Sequence, residues 1–517
     1  MSSTRRTFLQ QLGATALLLP AARLGWAAKP VLLPRSTPEA EGVSSAAISA
    51  FLDGLAAAQI EVHGLMIARH GRVIAEGWWA PYAPTLRHTL YSMSKSFTST
   101  AVGFAVAEGK LSVEDKVTSF FPESLPAKIS ENLAALRVKH LLTMAVGSEK
   151  EPTGAMVKEQ DWVRSFLAHE ISHEPGSVFM YNSAATYMCS AIVQKVTGQP
   201  ILRFLQSRLF APLGIEDPTW ETCPRGICTG GWGLSVPTEA LAKFGQLYLE
   251  KGRWNGRQIL TPSWVGQATR LHIQQPAPAK PSRPTEQNDW LQGYGYQFWR
   301  CQHGGFRGDG AFGQFTIVLP EQDAVIAMNS ETPNMQGQLD LVWEHLLPAL
   351  KAAPLPAAAD AREKLAATLR TLALPIPTGS ATSPVSARLG GRTFALAEND
   401  RGLRNLRFAF SKDLIEFTSD SHTIAHGVQS WRTGETAFPG TPPRLISGGA
   451  PPEGTRHPVV ASATWRDDSA LEFTWRFIET PHRETVTCHF TDDNVAIDFK
   501  PSVGKPTRGP LQGKLSG

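Results

Sequence analysis

The stretch Leu90–Thr100, LYSMSKSFTST, packs Ser92, Ser94, Ser96, Thr98 and Ser99 around a single Lys95. The adjoining run TSTAVGFAVAEGKL carries Ala, Val and Phe at helical spacing and stops at Gly109, so the whole segment reads as a helix that begins near Ser92. Residues three apart share a helix face, which lets Ser92 and Lys95 touch. Ser94, adjacent to Lys95, points elsewhere. A serine hydroxyl is a poor nucleophile until a base removes its proton. A lysine serves as that base if burial and the positive end of the helix dipole destabilise its ammonium form. The same helix start offers a backbone N–H to a developing oxyanion. The remaining hydroxyls read as helix surface or packing.

Outward from this segment, AAISAFLDGLAAAQ reads as an amphipathic helix and HGLMIARHGRVIAEGWW as a β-hairpin around an RHGR turn. Residues 111 to 220 are helical with many loops. YGYQFW, QFTIVLP and DAVIAMNS, between 294 and 330, read as antiparallel strands, and LDLVWEHLLPALKAA as a closing helix. Strands at both ends with helices between predict one α+β domain whose first and last strands share a sheet. The domain is placed at residues 29–355. An Ala/Pro-rich linker, 356–385, comes next, with a short helical piece near 360–372. From 386 to 517, runs such as LRFAF, LIEFTS, LEFTWRFI and TVTCHF predict a small all-β domain, a barrel or sandwich. Its Trp431, Trp465 and Trp475 read as core rather than as a ligand platform.

The bulk properties narrow the function classes. The 517 residues are 42% hydrophobic, enough for two or three domains. A net charge of +4 without a concentrated basic face argues against nucleic-acid binding. Residues 1–28 read as an export signal: Arg5 and Arg6, with Thr7, Phe8 and Leu9 behind them, precede an apolar run too short to span a bilayer, in the manner of a twin-arginine signal. Cleavage near Ala27 or Ala28 predicts a periplasmic or secreted protein without a stable membrane span. Of five cysteines, Cys223 and Cys228 can pair across CPRGIC; buried thiols acting as small hydrophobes are the favoured reading.

Three further stretches occur in order: LRVKHLLTMAVG (136–147), PGSVFMYNSAATYMCSAI (175–192) and DGAFGQFTIVLP (309–320). Together with S-x-x-K at Ser92–Lys95, residues 36–350 resemble the serine β-lactamase and penicillin-binding-protein superfamily. More narrowly, they resemble the related serine hydrolases that include family VIII esterases and 6-aminohexanoate-dimer hydrolases. APLGIEDPTW and GGWGLSVPTEALAKFGQLYL are also of this kind. The resemblance implies an antiparallel sheet flanked by helices, with a helical subdomain. It implies Ser92 as nucleophile, Lys95 as its base and Tyr181 as a proton relay whose phenolate a neighbouring cation would favour. Ala311, after Gly310, would give the second oxyanion N–H, where small residues let the backbone approach a substrate.

Two departures bear on substrate. The asparagine expected two residues after Tyr181 is replaced by Ser183, with Asn182 between; a hydroxyl offers one donor where an amide offers two. The K-T-G motif is absent, and CQHGGFRGDGAFGQ stands in its place. His303 or Arg307 is a candidate for contact with a substrate carboxylate. Asp309 has no assigned role. Loss of the lysine tilts the expectation from β-lactams and D-Ala-ended peptides toward a small-molecule ester or amide, cleaved without metal or organic cofactor. The alternatives are a β-lactamase, a D-Ala carboxypeptidase, a penicillin-recognising protein that does not turn over, and a function carried by the β domain as a glycan or lipid binder.

Overall fold

The computed structural model describes residues 32–446, 455–504 and 506–516. The expected export signal lies outside them. The N-terminal domain is built on a six-stranded antiparallel sheet made from β1 (Glu61–Arg69), β2 (Arg72–Trp78), β3 (Trp299–Arg300), β4 (Phe306–Gly310), β5 (Gln314–Leu319) and β6 (Ala324–Glu331). Their order across the sheet is β2-β1-β6-β5-β4-β3, so the first hairpin and the last strands do share one sheet. β1 is buried on both faces, which is why it reads as a near-continuous apolar run.

One face of the sheet packs on α1 (Ser45–Ala57) through Ile48, Phe51, Leu52 and Leu55. A cap on the Ser44 side chain, which accepts from Ala46 N at 3.2 Å, starts that helix. The other face receives α4 (Thr238–Leu249), and Gly245 lets it sit close: a Cβ there would lie 2.6 Å from Val325 Cγ1. Between sheet and helical subdomain lie α2 (Ser94–Ala107) and α3 (Ser183–Thr197), which pack on each other. α2 is buried all round from Ser94 to Ala105, so its hydroxyls are internal rather than a solvated surface. Ser96 Oγ donates to Gln297 O at 2.8 Å, Thr98 Oγ1 to Gly230 O at 2.9 Å, and Ser94 Oγ accepts from Leu234 N at 3.1 Å. YGYQFW supplies only Trp299 to a strand, as the first residue of β3.

The stretch 356–385 is largely exposed but anchored to its surroundings at Leu365, Leu374 and Ser380, unlike the free linker its composition suggests. Within it α5 (Ala359–Arg370) inserts Leu365 into the core shared with α1 and the sheet. Further along, Leu372 O accepts from Ala80 N, and Ser380 exchanges both backbone hydrogen bonds with Trp465. Burial of leucines on an Ala-rich helix outweighs the local Pro and Ala texture from which a linker is read.

The C-terminal domain is a ten-stranded barrel. Its strands are β7 (Thr393–Leu396), β8 (Asn405–Phe410), β9 (Leu414–Ser419), β10 (His422–Val428), β11 (Arg432–Thr436), β12 (His457–Trp465), β13 (Ala470–Arg476), β14 (Arg483–Thr491), β15 (Asn494–Pro501) and β16 (Leu511–Leu515). They run β10-β9-β8-β7-β16-β15-β14-β13-β12-β11, and a parallel pairing of β10 with β12 closes the circle. Closure pairs every strand on both sides except β11, which pairs only with β12. Aromatic side chains fill the interior: Phe408, Phe417, Phe473 and Phe490 pack around Trp465 and Trp475, both fully buried. Trp475 Nε1 donates to His426 Nε2 at 2.6 Å, satisfying a buried indole. A core so filled gives no support to a glycan or lipid pocket inside the barrel.

Candidate active site

The site forms where α2 begins. Ser92 lies in a single 3-10 turn, Tyr91–Met93, and the α-helix starts two residues later, at Ser94. The helical sense is continuous, so the i, i+3 relation holds: Lys95 Nζ is 3.1 Å from Ser92 Oγ. Lys95 is 1% exposed. Its amine also reaches Ser183 Oγ at 3.0 Å and the Gly231 carbonyl at 2.7 Å. Burial pulls its pKa down to about 7, against an opposing pull from the carboxylates of Glu151 and Asp309. Near neutrality a large fraction is therefore the free amine. That amine has two N–H groups and one lone pair. The Gly231 carbonyl can only accept, Ser183 can accept, and the lone pair is left for the Ser92 proton.

Tyr181, half-buried at the end of the loop before α3, hydrogen-bonds Ser92 through its hydroxyl. Its ring stacks on Trp299 with centroids 5.5 Å apart. The sequence expectation of a phenolate is not met. Burial raises the Tyr181 pKa, the hydrogen bond with Ser92 lowers it less, and the phenol stays protonated. Lys95 Nζ sits over the same ring, 4.9 Å from its centroid.

Ser183 occupies the first turn of α3, and there its hydroxyl meets Lys95. Asn182 is the N-cap of the same helix: its side chain accepts from Ala185 N at 2.9 Å and the residue is fully buried. Asn182 thus holds the helix in place, and the contact with the lysine belongs to Ser183.

Gly310 ends β4 against the start of α2. A Cβ at Gly310 would lie 2.1 Å from Leu90 O and 3.1 Å from Met93 N. This absence of a side chain lets the backbone at Gly310 lie against the backbone of the turn that holds Ser92. Residues in left-handed conformation flank both: Tyr91 at φ 48° before Ser92, and Phe312 at φ 67° after Ala311. Non-glycine residues rarely adopt this region, and each costs about 1–3 kcal/mol that surrounding structure must offset.

Arg307 and His303 are not brought to Ser92. Arg307 is fully buried, pairs with Asp309 through Nε at 2.9 Å, donates to Asp289 O, and lies 4.6 Å from the Trp290 ring centroid. His303 is exposed in the turn before β4, its ring 5.4 Å from that of Trp343, at the end of the strand away from Gly310.

Three contributors were not assigned from sequence. Gly231 supplies the carbonyl beneath Lys95; the GGWG run is the signal, because a Cβ there would lie 2.8 Å from Ser183 O. Glu151 accepts from Ser183 N at 2.9 Å, and nothing local in the sequence marks it. Asp309 balances Arg307 and acts on Lys95; burial raises its own pKa to about 6. A cavity of about 450 Å³ opens beside Tyr91, lined by Trp220, Trp232 and Ser235 from one domain and by Arg444, Glu479 and His482 from the other.

The family model described as Beta-lactamase matches residues 47–349. The 6-aminohexanoate-dimer hydrolase of Paenarthrobacter ureafaciens is 25% identical over 291 residues, 52% of this chain and 72% of that protein. A Beta-lactamase of Escherichia coli (strain K12) is 29% identical over 145 residues, 27% of this chain and 37% of that protein. The matched segment therefore spans well under half of the latter's length. Among solved structures, the octameric penicillin-binding protein homologue from Pyrococcus abyssi aligns with a TM-score of 0.47 at 16% identity, over 90% of this chain and 99% of that one. With residues 47–349 of 517 matched, the chain belongs to the Beta-lactamase family.

Proposed function

We propose that the protein is a serine hydrolase that cleaves a small ester or amide through an acyl-enzyme on Ser92. The observation that carries this reading is Lys95: buried, with a pKa of about 7, and 3.1 Å from Ser92 Oγ. The free amine takes the Ser92 proton as Oγ bonds to the substrate carbonyl carbon. The carbonyl electron pair moves to oxygen, and the N–H groups of Ser92 and Ala311 receive the oxyanion. The protonated phenol of Tyr181 donates to the leaving oxygen or nitrogen and is reprotonated from Lys95. Water, deprotonated along the same path, then releases the acyl group.

Two observations favour an ester or amide over a β-lactam or a D-Ala-ended peptide. The lysine of K-T-G is absent, and the cation on that strand, Arg307, is committed to Asp309. The named activity of the Paenarthrobacter relative, dimer hydrolysis, accords with this choice. We further propose export by the twin-arginine-type segment at residues 1–28, which sequencing the N-terminus of the protein from a periplasmic fraction tests.

Ser92→Ala is expected to abolish hydrolysis of a p-nitrophenyl ester that the wild type cleaves, and to lose labelling by a fluorophosphonate probe. Full activity in Ser92→Ala would sink the proposal. A chromogenic cephalosporin assayed in parallel separates a β-lactamase, and permanent penicillin labelling without turnover marks a binding protein.

A further inference from the structure

We propose that His482, delivered by the C-terminal barrel, is a positioning residue for the oxyanion donors of the N-terminal domain. The inference rests on the reading of Ser92 as nucleophile, and it gives the barrel a role in the same reaction. His482 ends the short FIETPH connection between β13 and β14 and is 1% exposed. Its ring packs edge-on against Tyr91 at 5.6 Å and against Phe312 at 5.1 Å, and those two rings pack edge-on against each other at 5.5 Å. Tyr91 and Phe312 are the two left-handed residues beside Ser92 and Ala311. One barrel side chain thus touches both strained positions from which the candidate donors hang.

The polar contacts fix the ring's orientation. His482 Nδ1 is 2.8 Å from Glu331 Oε1, and Nε2 meets the Tyr91 hydroxyl. Ser502 Oγ lies 3.3 Å from Nδ1, and the His482 backbone N–H donates to Thr480 Oγ1 at 3.0 Å. A carboxylate accepts only, so Nδ1 carries a hydrogen toward Glu331, and in that tautomer Nε2 is the acceptor for the Tyr91 O–H. Glu331 ends β6 and is paired with Arg483 of the barrel. The chain Glu331–His482–Tyr91 therefore runs from the N-terminal sheet through the barrel and back to the residue before the nucleophile. Without it, Tyr91 and Phe312 would relax toward ordinary backbone conformations, and both N–H groups would turn from the carbonyl oxygen.

The test uses the full-length chain and a fluorophosphonate probe, whose phosphoryl oxygen needs the same donors. The measured quantities are the maximal labelling rate at Ser92 (kinact) and the half-saturating probe concentration (KI). His482→Ala is expected to lower kinact by about tenfold or more while KI stays within about twofold, at a temperature where circular dichroism matches wild type. Tyr91→Phe, which removes one oxygen and keeps the ring, is expected to lower kinact by about threefold or more. A purely structural role would lower Tm and leave kinact of the folded fraction unchanged, which overturns the proposal. If His482→Ala does not fold, Tyr91→Phe decides alone, and wild-type kinact there overturns it. Failure of Ser92 itself to label in the wild type would instead overturn the hydrolase reading, and this inference with it.

Discussion

At the scale of single residues, Lys95 sets the chemistry. Its amine must be neutral to accept the Ser92 proton, and the neutral fraction grows as pH rises through about 7. The acylation rate is therefore expected to climb about tenfold per pH unit below that value and level off above it, measured as the pH profile of probe labelling or of the ester burst. Glu151 holds the lysine's pKa up through its charge, so Glu151→Gln should move the midpoint downward by a fraction of a unit. Because Glu151 is exposed, the displacement should shrink in high salt. A midpoint unmoved or raised in Glu151→Gln would count against this electrostatic account. The pairing of Ser92 with Lys95 was legible from spacing alone. The protonation state of Tyr181 was not, because it depends on how deeply the folded chain buries the phenol.

At the scale of elements, the end of β4 and the start of α2 must touch backbone to backbone. Gly310→Ala places a methyl 2.1 Å from Leu90 O and 3.1 Å from Met93 N, and neither is a flexible side chain. We expect it to lower kcat by about a hundredfold with a smaller change in KM, since displacement on the order of 1 Å at a donor has that effect. Overpacking should also cost about 1–3 kcal/mol of stability, read from denaturant unfolding. An active Gly310→Ala enzyme would show that Ala311 does not supply the second donor. The hairpin β1–β2, helices α1 and α2 and the strands β5 and β6 were legible because their apolar periods are long and bounded by turns. β10, β11 and β16 were not: HTIAHGV, RTGET and LQGKL mix Gly with polar or charged residues, and their pairing with β9, β12 and β7 supplies what their own pattern does not.

Across the whole molecule, charged side chains join the two domains. Arg476 of β13 pairs with Glu61 of β1 at 2.7 Å, and Arg483 reaches both Glu61 and Glu331. Burial alone would raise the Glu61 pKa, but the hydrogen bond from His63 and the charge of Arg476 overcome it and hold the carboxyl well below the usual carboxylate range. A carboxyl whose pKa is depressed by folding stabilises the native state above its unfolded pKa, and that contribution is lost as pH falls through the folded value. Tm should therefore decline as the solution is acidified below about 4.5, the ordinary value for this group. In Arg476→Ala, Glu61 keeps His63 and the longer contact with Arg483 but loses its nearest cation, which should cost about 1.5–3 kcal/mol at neutral pH, and the acid-dependent part of the decline should diminish. A Tm in Arg476→Ala equal to that of wild type would remove this pair from the domain junction.

By itself the sequence determined the α+β domain with its shared first and last strands, the all-β domain after it, and the order of the motifs at Ser92, Tyr181 and Gly310. The domains and the Ser92–Lys95 pair rest on local period, turn residues and spacing, which act over a few residues along the chain, and the motifs at Tyr181 and Gly310 rest on the family resemblance. Only the tertiary structure decided that Lys95 is buried enough to lose its proton near neutrality, that Arg307 is committed to Asp309, that Leu365 anchors the stretch 356–385 to the core, and that His482 stands against Tyr91 and Phe312. These depend on desolvation and on contacts between residues up to 391 positions apart, and neither is encoded in any short stretch.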